Sequence, residues 1–162
     1  MKSKMMAMGG VMAALAVVIM CMGGLIPVAT FVCPLICCLI LQFISGTLKT
    51  RMCWVWYAVV SVLSLLLGPD KEAAAVFVFL GYYPIIRPLF PKKFWGWILK
   101  ILYFNVSILA MYWILIHFLG VDQIVQDYAE FRGAMGAILI LLGNVTFFLL
   151  DRLLALVKRR FP

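Results

Sequence analysis

The sequence predicts an all-α integral membrane protein: a bundle of six transmembrane helices with both termini in the cytoplasm. Hydrophobic residues make up 67% of the 162 residues and charged residues only 12%, whereas soluble domains are about half apolar and about a quarter charged. Several apolar runs reach the ~20 residues that an α-helix needs to cross the hydrocarbon layer. Since no linker, repeat or soluble domain separates these runs, residues 1–162 are predicted to form one transmembrane domain.

The predicted spans follow one another along the chain with short connections. The first lies within residues 2–27 and is followed by a break at 23–27, and the others cover residues 28–44, 53–67, 73–86, 94–119 and 134–154. Pro34 lacks the N–H of a helical hydrogen bond and is predicted to kink or unwind the second span, and Gly81-Tyr-Tyr-Pro84 predicts a bend in the fourth. Residues 121–132 are predicted to form a short surface helix. The first span exceeds the apolar core of a signal peptide and lacks an A-x-A-like cleavage site, so we expect it to be retained.

The placement of charge predicts the orientation. With the first span starting inside, the cytoplasmic side holds twelve of the fourteen Lys and Arg residues, and the outer side holds five of the six Asp and Glu residues. Short loops rich in Lys and Arg stay in the cytoplasm. This distribution accounts for the net charge of +8 without a nucleic-acid partner.

The arrangement of the cysteines and the absence of catalytic motifs argue against a metal site and against an enzyme. Five cysteines lie in or beside apolar runs, and no fourth soft ligand or histidine accompanies the cluster of Cys33, Cys37 and Cys38. We expect these thiols to pack as small hydrophobic groups and to bind no metal, while the role of the cluster stays open. The sequence has no Ser-His-Asp arrangement, phosphate-binding loop, HExxH motif or carboxylate pair, so it predicts neither an enzyme nor a cofactor.

Several polar residues within the spans are candidates for solute binding. His117 is the only histidine and shares a helical face with Trp113; the pair could contact a small ligand or could anchor the helix at the membrane interface. Asn105 and Asn144 are expensive to bury in hydrocarbon, so each needs a partner on another helix or on a ligand. Asp151 needs one too, and Arg87 or a snorkelling arrangement would supply it.

The predicted outer loops and the third and fourth spans add further candidates. Asp70 and Glu72 are the best placed loop residues for polar contacts with a solute, although charged loop residues are usually only solvated. Tyr83 could line the floor of a pocket or simply pack. On the third span, a stripe of polar and aromatic residues recurs at helical spacing and is predicted to face the interior of the bundle. Its members are Trp54, Tyr57, Ser61 and Ser64.

Small residues mark one side of the first helix. They are Gly9, Gly10, Ala13, Ala14 and Ala16. Because apolar helices gain little hydrophobic energy from associating in lipid, close approach at small residues supports their packing. This side therefore packs within the chain's own bundle or forms a docking surface for another protein.

The size, the six predicted spans and the run Met12-Ala-Ala-Leu-Ala-Val-Val18 behind a short basic segment resemble the substrate-binding S components of energy-coupling factor (ECF) transporters. The resemblance implies a bacterial cell-membrane protein that captures a micronutrient at its outer face. It also implies docking of the small residues of the first helix to a transmembrane T component that works with two ATPases. Gly-xxx-Ala replaces the family's Ala-xxx-Ala pattern here. The solute would be held by outer segments 23–30, 67–73 and 120–132 and by neighbouring helix ends.

A second function fits the same topology. A membrane scaffold that transports nothing, for example one that organises cell-envelope enzymes, would also be a small six-helix protein embedded in the bilayer. An intramembrane enzyme fits least well, because paired acids and a histidine-rich core are missing from the sequence. Retention of a small molecule on purification would favour the importer, whereas capture of a cell-envelope enzyme without an ATPase would favour the scaffold.

Overall fold

The fold was analysed in a computed structural model, which describes residues 2–23, 29–91, 94–114, 117 and 134–160. Within these ranges every regular element is helical, which confirms the all-α class for this part of the chain. The helices are α1 (Lys2–Met22), α2 (Ala29–Ser45), α3 (Thr50–Leu67), α4 (Lys71–Leu80), α5 (Tyr83–Ile86), a 3-10 turn (Arg87–Leu89), α6 (Phe94–Ile114) and α7 (Ala134–Arg160).

Length and composition make these helices suitable for a membrane. Among the described residues, five segments are long and apolar enough to cross a bilayer: Ser3–Met22, Thr50–Leu67, Lys71–Leu89, Trp95–Ile114 and Ile140–Arg159. Helix α2 is apolar as well but somewhat shorter, at 17 residues. The count of six spans and their orientation stay predictions.

Contacts within the chain define two compact units, Met1–Phe90 with Leu153–Pro162 and Pro91–Arg152. In the first unit, α4 packs most extensively on α2, and α1 packs on both α2 and α3. The small side chains of Ala73, Ala74 and Ala75 are buried and allow α4 to come close to its neighbours. The packing of this unit therefore places the fourth span at its centre, with more of its surface buried than in the other spans.

Several helix boundaries differ from the predicted ones, and two of them differ by three residues or more. Helix α3 begins at Thr50 and α7 extends to Arg160, although the sequence predicted a start at 53 and an end at 154. Basic residues stabilise the C-terminal end of a helix through its dipole, which explains why the Lys158-Arg159-Arg160 segment stays helical. Helix α2 is continuous through Pro34, so it is not unwound there.

The fourth span is interrupted at the place where Gly81 and Pro84 predicted a bend. Helix α4 ends at Leu80, two turn residues follow, and the chain continues as α5 and the 3-10 turn. At Gly81, a Cβ atom would lie 2.8 Å from ring carbons of Phe77, so glycine permits the close approach of this ring. Pro84 has no N–H to donate to Leu80, which leaves the last carbonyls of α4 in need of other donors.

Side chains from neighbouring helices supply such donors. The Tyr57 hydroxyl of α3 donates to the carbonyl of Val78, and the Cys38 thiol of α2 points at the carbonyl of Leu80 from 3.9 Å. Irregular backbone inside a span is tolerated where surrounding groups satisfy it in this way. The break therefore depends on the packing of α2 and α3 around it.

The second unit contains α6 and the part of α7 up to Arg152. Two pairs of aromatic rings join the two helices: Phe104 stacks on Phe147 with ring centroids 4.7 Å apart, and Trp97 contacts Phe148 in a tilted arrangement with centroids 4.9 Å apart. The contacts of Lys100 with Asp151 and of Asn105 with Asn144 show that α6 and α7 run antiparallel.

Candidate functional site

The small residues of α1 fall on two different sides of the helix. Gly9 is buried against the first unit: the Trp56 indole N–H donates to its carbonyl at 3.1 Å, and a Cβ atom there would lie 3.4 Å from Leu48 Cδ1. Ala16 is fully buried, and its carbonyl accepts from the Cys37 thiol at 3.5 Å. These two positions serve packing within the chain.

The other side of α1 stays open. Gly10 and Ala14 are exposed, Ala13 is half-buried between the two sides, and a Cβ atom at Gly10 would meet nothing within 4 Å. The five small residues therefore do not form one surface. A helix from another protein could reach Gly10 and Ala14 but not Gly9 or Ala16 in this conformation.

Asp70 caps α4 and joins it to α2. Its Oδ1 atom accepts from the backbone N–H groups of Glu72 and Ala73 at 3.0 and 3.1 Å. Its Oδ2 atom accepts from the Thr30 hydroxyl at 2.7 Å. A carboxylate at this position satisfies free N–H groups of the helix and interacts favourably with its dipole. The carboxylate therefore has a structural role that the sequence analysis did not assign to it.

Lys71 stabilises the other helix end at the α3–α4 corner, which is the turn between these two helices. Its ammonium group donates to the carbonyls of Leu65 and Gly68, at 2.8 and 2.9 Å, and thereby caps the C-terminal end of α3. Glu72 is half-buried in the first turn of α4. Most of the hydrogen-bonding capacity of Asp70 and Lys71 is thus directed at helix ends.

Asn105 and Asn144 are partners of each other in the second unit. The Asn105 amide nitrogen donates to Asn144 Oδ1 at 3.1 Å, and the Asn144 amide nitrogen donates to Asn105 Oδ1 at 3.3 Å. Each nitrogen also donates to a carbonyl one turn back on its own helix, that of Ile101 or Ile140, at 2.9 and 2.8 Å. Of the two kinds of partner that the sequence left open, another helix or a ligand, the structure supplies the helix.

Asp151 is also joined to α6. Both of its carboxylate oxygens accept from the Lys100 ammonium group, at 3.0 and 3.1 Å, and the two side chains are only 8% and 15% exposed. The Lys100 ammonium group also lies 5.9 Å from the centre of the Trp97 ring. The alternative partner of Asp151, Arg87, belongs to the first unit, and that pairing stays a prediction.

Trp113 and His117 stack on each other at the end of α6. Their ring centroids lie 4.9 Å apart, and His117 Nδ1 lies 3.1 Å from the Trp113 carbonyl oxygen. Both side chains are exposed. This geometry suits an interfacial anchor and also leaves one face of each ring accessible to a ligand.

The buried stripe on α3 is only partly as predicted. Ser61 and Ser64 are buried, and their hydroxyls have no hydrogen-bond partner among the described residues. Trp54 is 42% exposed and stacks on Tyr82 at 6.1 Å, so its predicted interior position is wrong. Trp54 lies at the edge of the stripe, beside the interruption in the fourth span, and the Tyr82 ring covers one face of its indole.

Aromatic residues gather around the break in the fourth span, a feature that the sequence analysis missed. Tyr57 lies 5.7 Å from Tyr82 and 5.8 Å from Phe77, measured between ring centroids. Tyr83 is fully buried and packs 6.2 Å from Phe90. This cluster could have been predicted from the Gly81-Tyr-Tyr-Pro84 sequence together with Trp54 and Tyr57 on α3.

The cysteines pack as expected from the sequence. Cys21 is half-buried and the other four are buried, and all five carry free thiols. In the described ranges, no group of three or more His, Cys, Asp or Glu side chains is arranged to hold a metal ion.

The seven predicted solute-binding residues thus lie in both units. Asp70, Glu72 and Tyr83 belong to the first, and Asn105, Trp113, His117 and Asn144 belong to the second. The predicted outer segment 120–132 lies outside the described residues, as does most of segment 23–30. No protein-family model matches the sequence, and no curated protein or solved structure matches it significantly. The function is therefore argued from the residues themselves.

Proposed function

We propose that this chain is the S component of an ECF-type importer in a bacterial cell membrane. It crosses the bilayer six times, keeps both termini in the cytoplasm and captures a small micronutrient from outside. It docks through α1 to a T component that works with two ATPases, because its own sequence contains no phosphate-binding loop for ATP.

The observation that carries this proposal is the open side of α1. Gly10 and Ala14 are exposed on it, although the helix uses Gly9 and Ala16 for its own packing. Small residues on a lipid-facing surface gain little for the isolated protein, but they let a second helix approach closely. The docking surface proposed here is therefore narrower than the five residues predicted from sequence and is centred on Gly10 and Ala14.

Helix lengths and charges support the six-span topology. Helix α2 has 17 residues, and a helix of that length is about 25 Å long, close to the ~30 Å thickness of the hydrocarbon layer. With α2 as a span, the Lys and Arg residues lie almost entirely on the side of the N-terminus.

In this proposal, the α3–α4 corner with Asp70 and Glu72, at the acidic end of the first unit, is one candidate surface for the solute. The stacked rings of Trp113 and His117 are a separate candidate surface on the second unit. Aromatic faces together with a few polar groups are typical of small-molecule sites. Asn105 and Asn144 are better explained as a helix–helix contact than as solute ligands.

A membrane scaffold is the second candidate function, and one observation favours it. Asp70, Asn105 and Asn144 already have protein partners for their polar atoms. A chain that binds no solute needs such residues only to hold its helices together. In that case the open side of α1 would contact another membrane protein that is not part of a transporter.

The two functions are separated by affinity purification in mild detergent followed by mass spectrometry of proteins and small molecules. Wild type is compared with a Gly10→Leu/Ala14→Leu variant. The control is Ala58→Leu, which makes the same change as Ala14→Leu at another exposed alanine, on α3. We expect a T component and two ATPases with wild type and the control, and at least a tenfold lower yield of them with the α1 variant.

A small molecule that co-purifies with wild type would identify the solute. Recovery of cell-envelope enzymes with wild type and the control, without an ATPase, would overturn the importer proposal and support the scaffold. Equal capture of the ATPases by wild type and the α1 variant would show that docking does not use Gly10 and Ala14.

A further inference from the structure

A groove opens between the first turns of α1 and the turn that joins α2 to α3. Its volume is about 380 Å³, and it is lined by Lys4, Met5, Met8 and Thr47. Lys4 and Thr47 are exposed, and both methionine side chains are half-buried. The groove is open, its surface is almost entirely apolar, and the side chain of one lysine lies beside two flexible methionine side chains.

The inner end of the groove is closed by close packing. One residue beyond Met8, the carbonyl of Gly9 accepts from the Trp56 indole, and Leu48 lies against the Gly9 backbone. Helix α1 therefore contacts its neighbours tightly at Gly9 and leaves space only around the preceding turns. The groove, which we call the cleft below, is therefore confined to the first turns of α1.

The cleft lies at a strongly basic end of the first unit. The helices α1, α2 and α3 alternate in direction, so the start of α1 and the α2–α3 turn lie together, and Lys49 and Arg51 are exposed beside that turn. In residues 1–90, the acidic residues are Asp70 and Glu72, both in the corner at the opposite end. An occupant of the cleft therefore meets positive charge without a competing carboxylate from this segment.

The order of residues along α1 matches the chemical profile of a lipid leaflet. Met8 lies four residues beyond Lys4, which corresponds to about 6 Å along the helix axis. This is the scale on which a bilayer changes from charged headgroups to acyl chains. Methionine adapts its shape to irregular apolar partners, and basic pockets between membrane helices on the cytoplasmic side bind anionic headgroups.

We infer that this cleft binds an anionic phospholipid of the cytoplasmic leaflet. The lipid phosphate lies at the Lys4 ammonium group, Lys49 and Arg51 add long-range attraction, and the first methylenes of an acyl chain pack on Met5 and Met8. A free phosphate ion would leave the methionine walls unused, so the occupant is a bilayer lipid. This inference rests on the proposed orientation, with the N-terminus in the cytoplasm, but not on transport of a solute.

The test is native mass spectrometry of the delipidated full-length protein, titrated with phosphatidylglycerol or phosphatidylcholine of the same chain length. We expect one phosphatidylglycerol to bind at least tenfold more tightly than phosphatidylcholine. Lys4→Gln should weaken phosphatidylglycerol binding about fivefold, the effect of one basic group near a lipid surface. The matched control, Lys158→Gln, removes an equal charge from an exposed side chain that does not line the cleft and should change binding less than twofold.

A second pair of variants tests the cleft itself, because Thr47→Leu fills it and Thr146→Leu makes the same change on an exposed face of α7. Only the first of these should reduce binding. Equal binding of the two lipids would overturn the inference, and so would equal losses from Lys4→Gln and Lys158→Gln. Binding of soluble glycerol phosphate as tightly as of phosphatidylglycerol would also overturn it, since it would identify a phosphate site without a lipid component.

Discussion

Replacing Asn144 with leucine tests how much the reciprocal amide contact stabilises the α6–α7 pair. The change removes both hydrogen bonds to Asn105 and leaves Asn105 Oδ1 without that donor, while the Asn105 amide nitrogen keeps its bond to the Ile101 carbonyl. Leucine adds apolar surface, but burial of such surface gains little in a membrane, because lipid tails are equally apolar. The lost hydrogen bonds therefore dominate the result.

The expected magnitude follows from the two bonds between the helices. Interhelical hydrogen bonds in membrane proteins contribute about 0.6 kcal/mol each on average. Two of them predict a loss of about 1 kcal/mol in the free energy of unfolding for Asn144→Leu and a similar loss for Asn105→Leu. The double variant leaves no unpaired amide, so it should lose about 1 kcal/mol rather than about 2, which gives a coupling energy of about 1 kcal/mol.

The assay is reversible unfolding of the four proteins in mixed micelles of a mild detergent and sodium dodecyl sulfate. Thr146→Val is the control, because the Thr146 hydroxyl donates only to the Leu142 carbonyl of its own helix, at 2.9 Å. Additive losses, within about 0.3 kcal/mol, would refute the view that the two amides act as one contact. A loss from Thr146→Val as large as that from Asn144→Leu would refute it as well.

Two further predictions concern the first unit. Gly9→Leu should lower the free energy of unfolding by about 1–3 kcal/mol, the usual cost of overpacking, because Leu48 occupies the space. Gly10→Leu should lower it far less, because a side chain there meets open space. Equal losses in the same unfolding assay would contradict the assigned sides of α1. Asp70→Ala should cost about 0.5–2 kcal/mol through loss of the α4 cap and should also lose the contact with Thr30, whereas Asp70→Asn, which can still cap, should cost only a few tenths. An equally large loss in stability from Asp70→Asn would show that the charge, and not the cap, is what matters.

The hydropathy of the sequence was sufficient to predict helices and several of their properties. The break in the fourth span follows from Gly81 and Pro84, because their backbone chemistry acts locally. The need of Asn105 and Asn144 for partners follows from the cost of an unpaired amide in hydrocarbon. The capping role of Asp70 was also readable, since an aspartate directly before an apolar helical run is a usual helix start, but the sequence analysis treated it only as a loop residue.

What the sequence by itself determined was the content of each segment: apolar runs of helical length, the asymmetry of charge and the positions where backbone groups lose their donors. Tertiary structure decided how these segments meet. Gly9 and Gly10 are neighbouring glycines, and only the approach of Leu48 and Trp56 assigns Gly9 to the interior while Gly10 stays exposed. Likewise, the register of the antiparallel helices α6 and α7 makes Lys100 the partner of Asp151, which lies 51 positions further along the chain. Such choices depend on distances between helices, which no local pattern encodes.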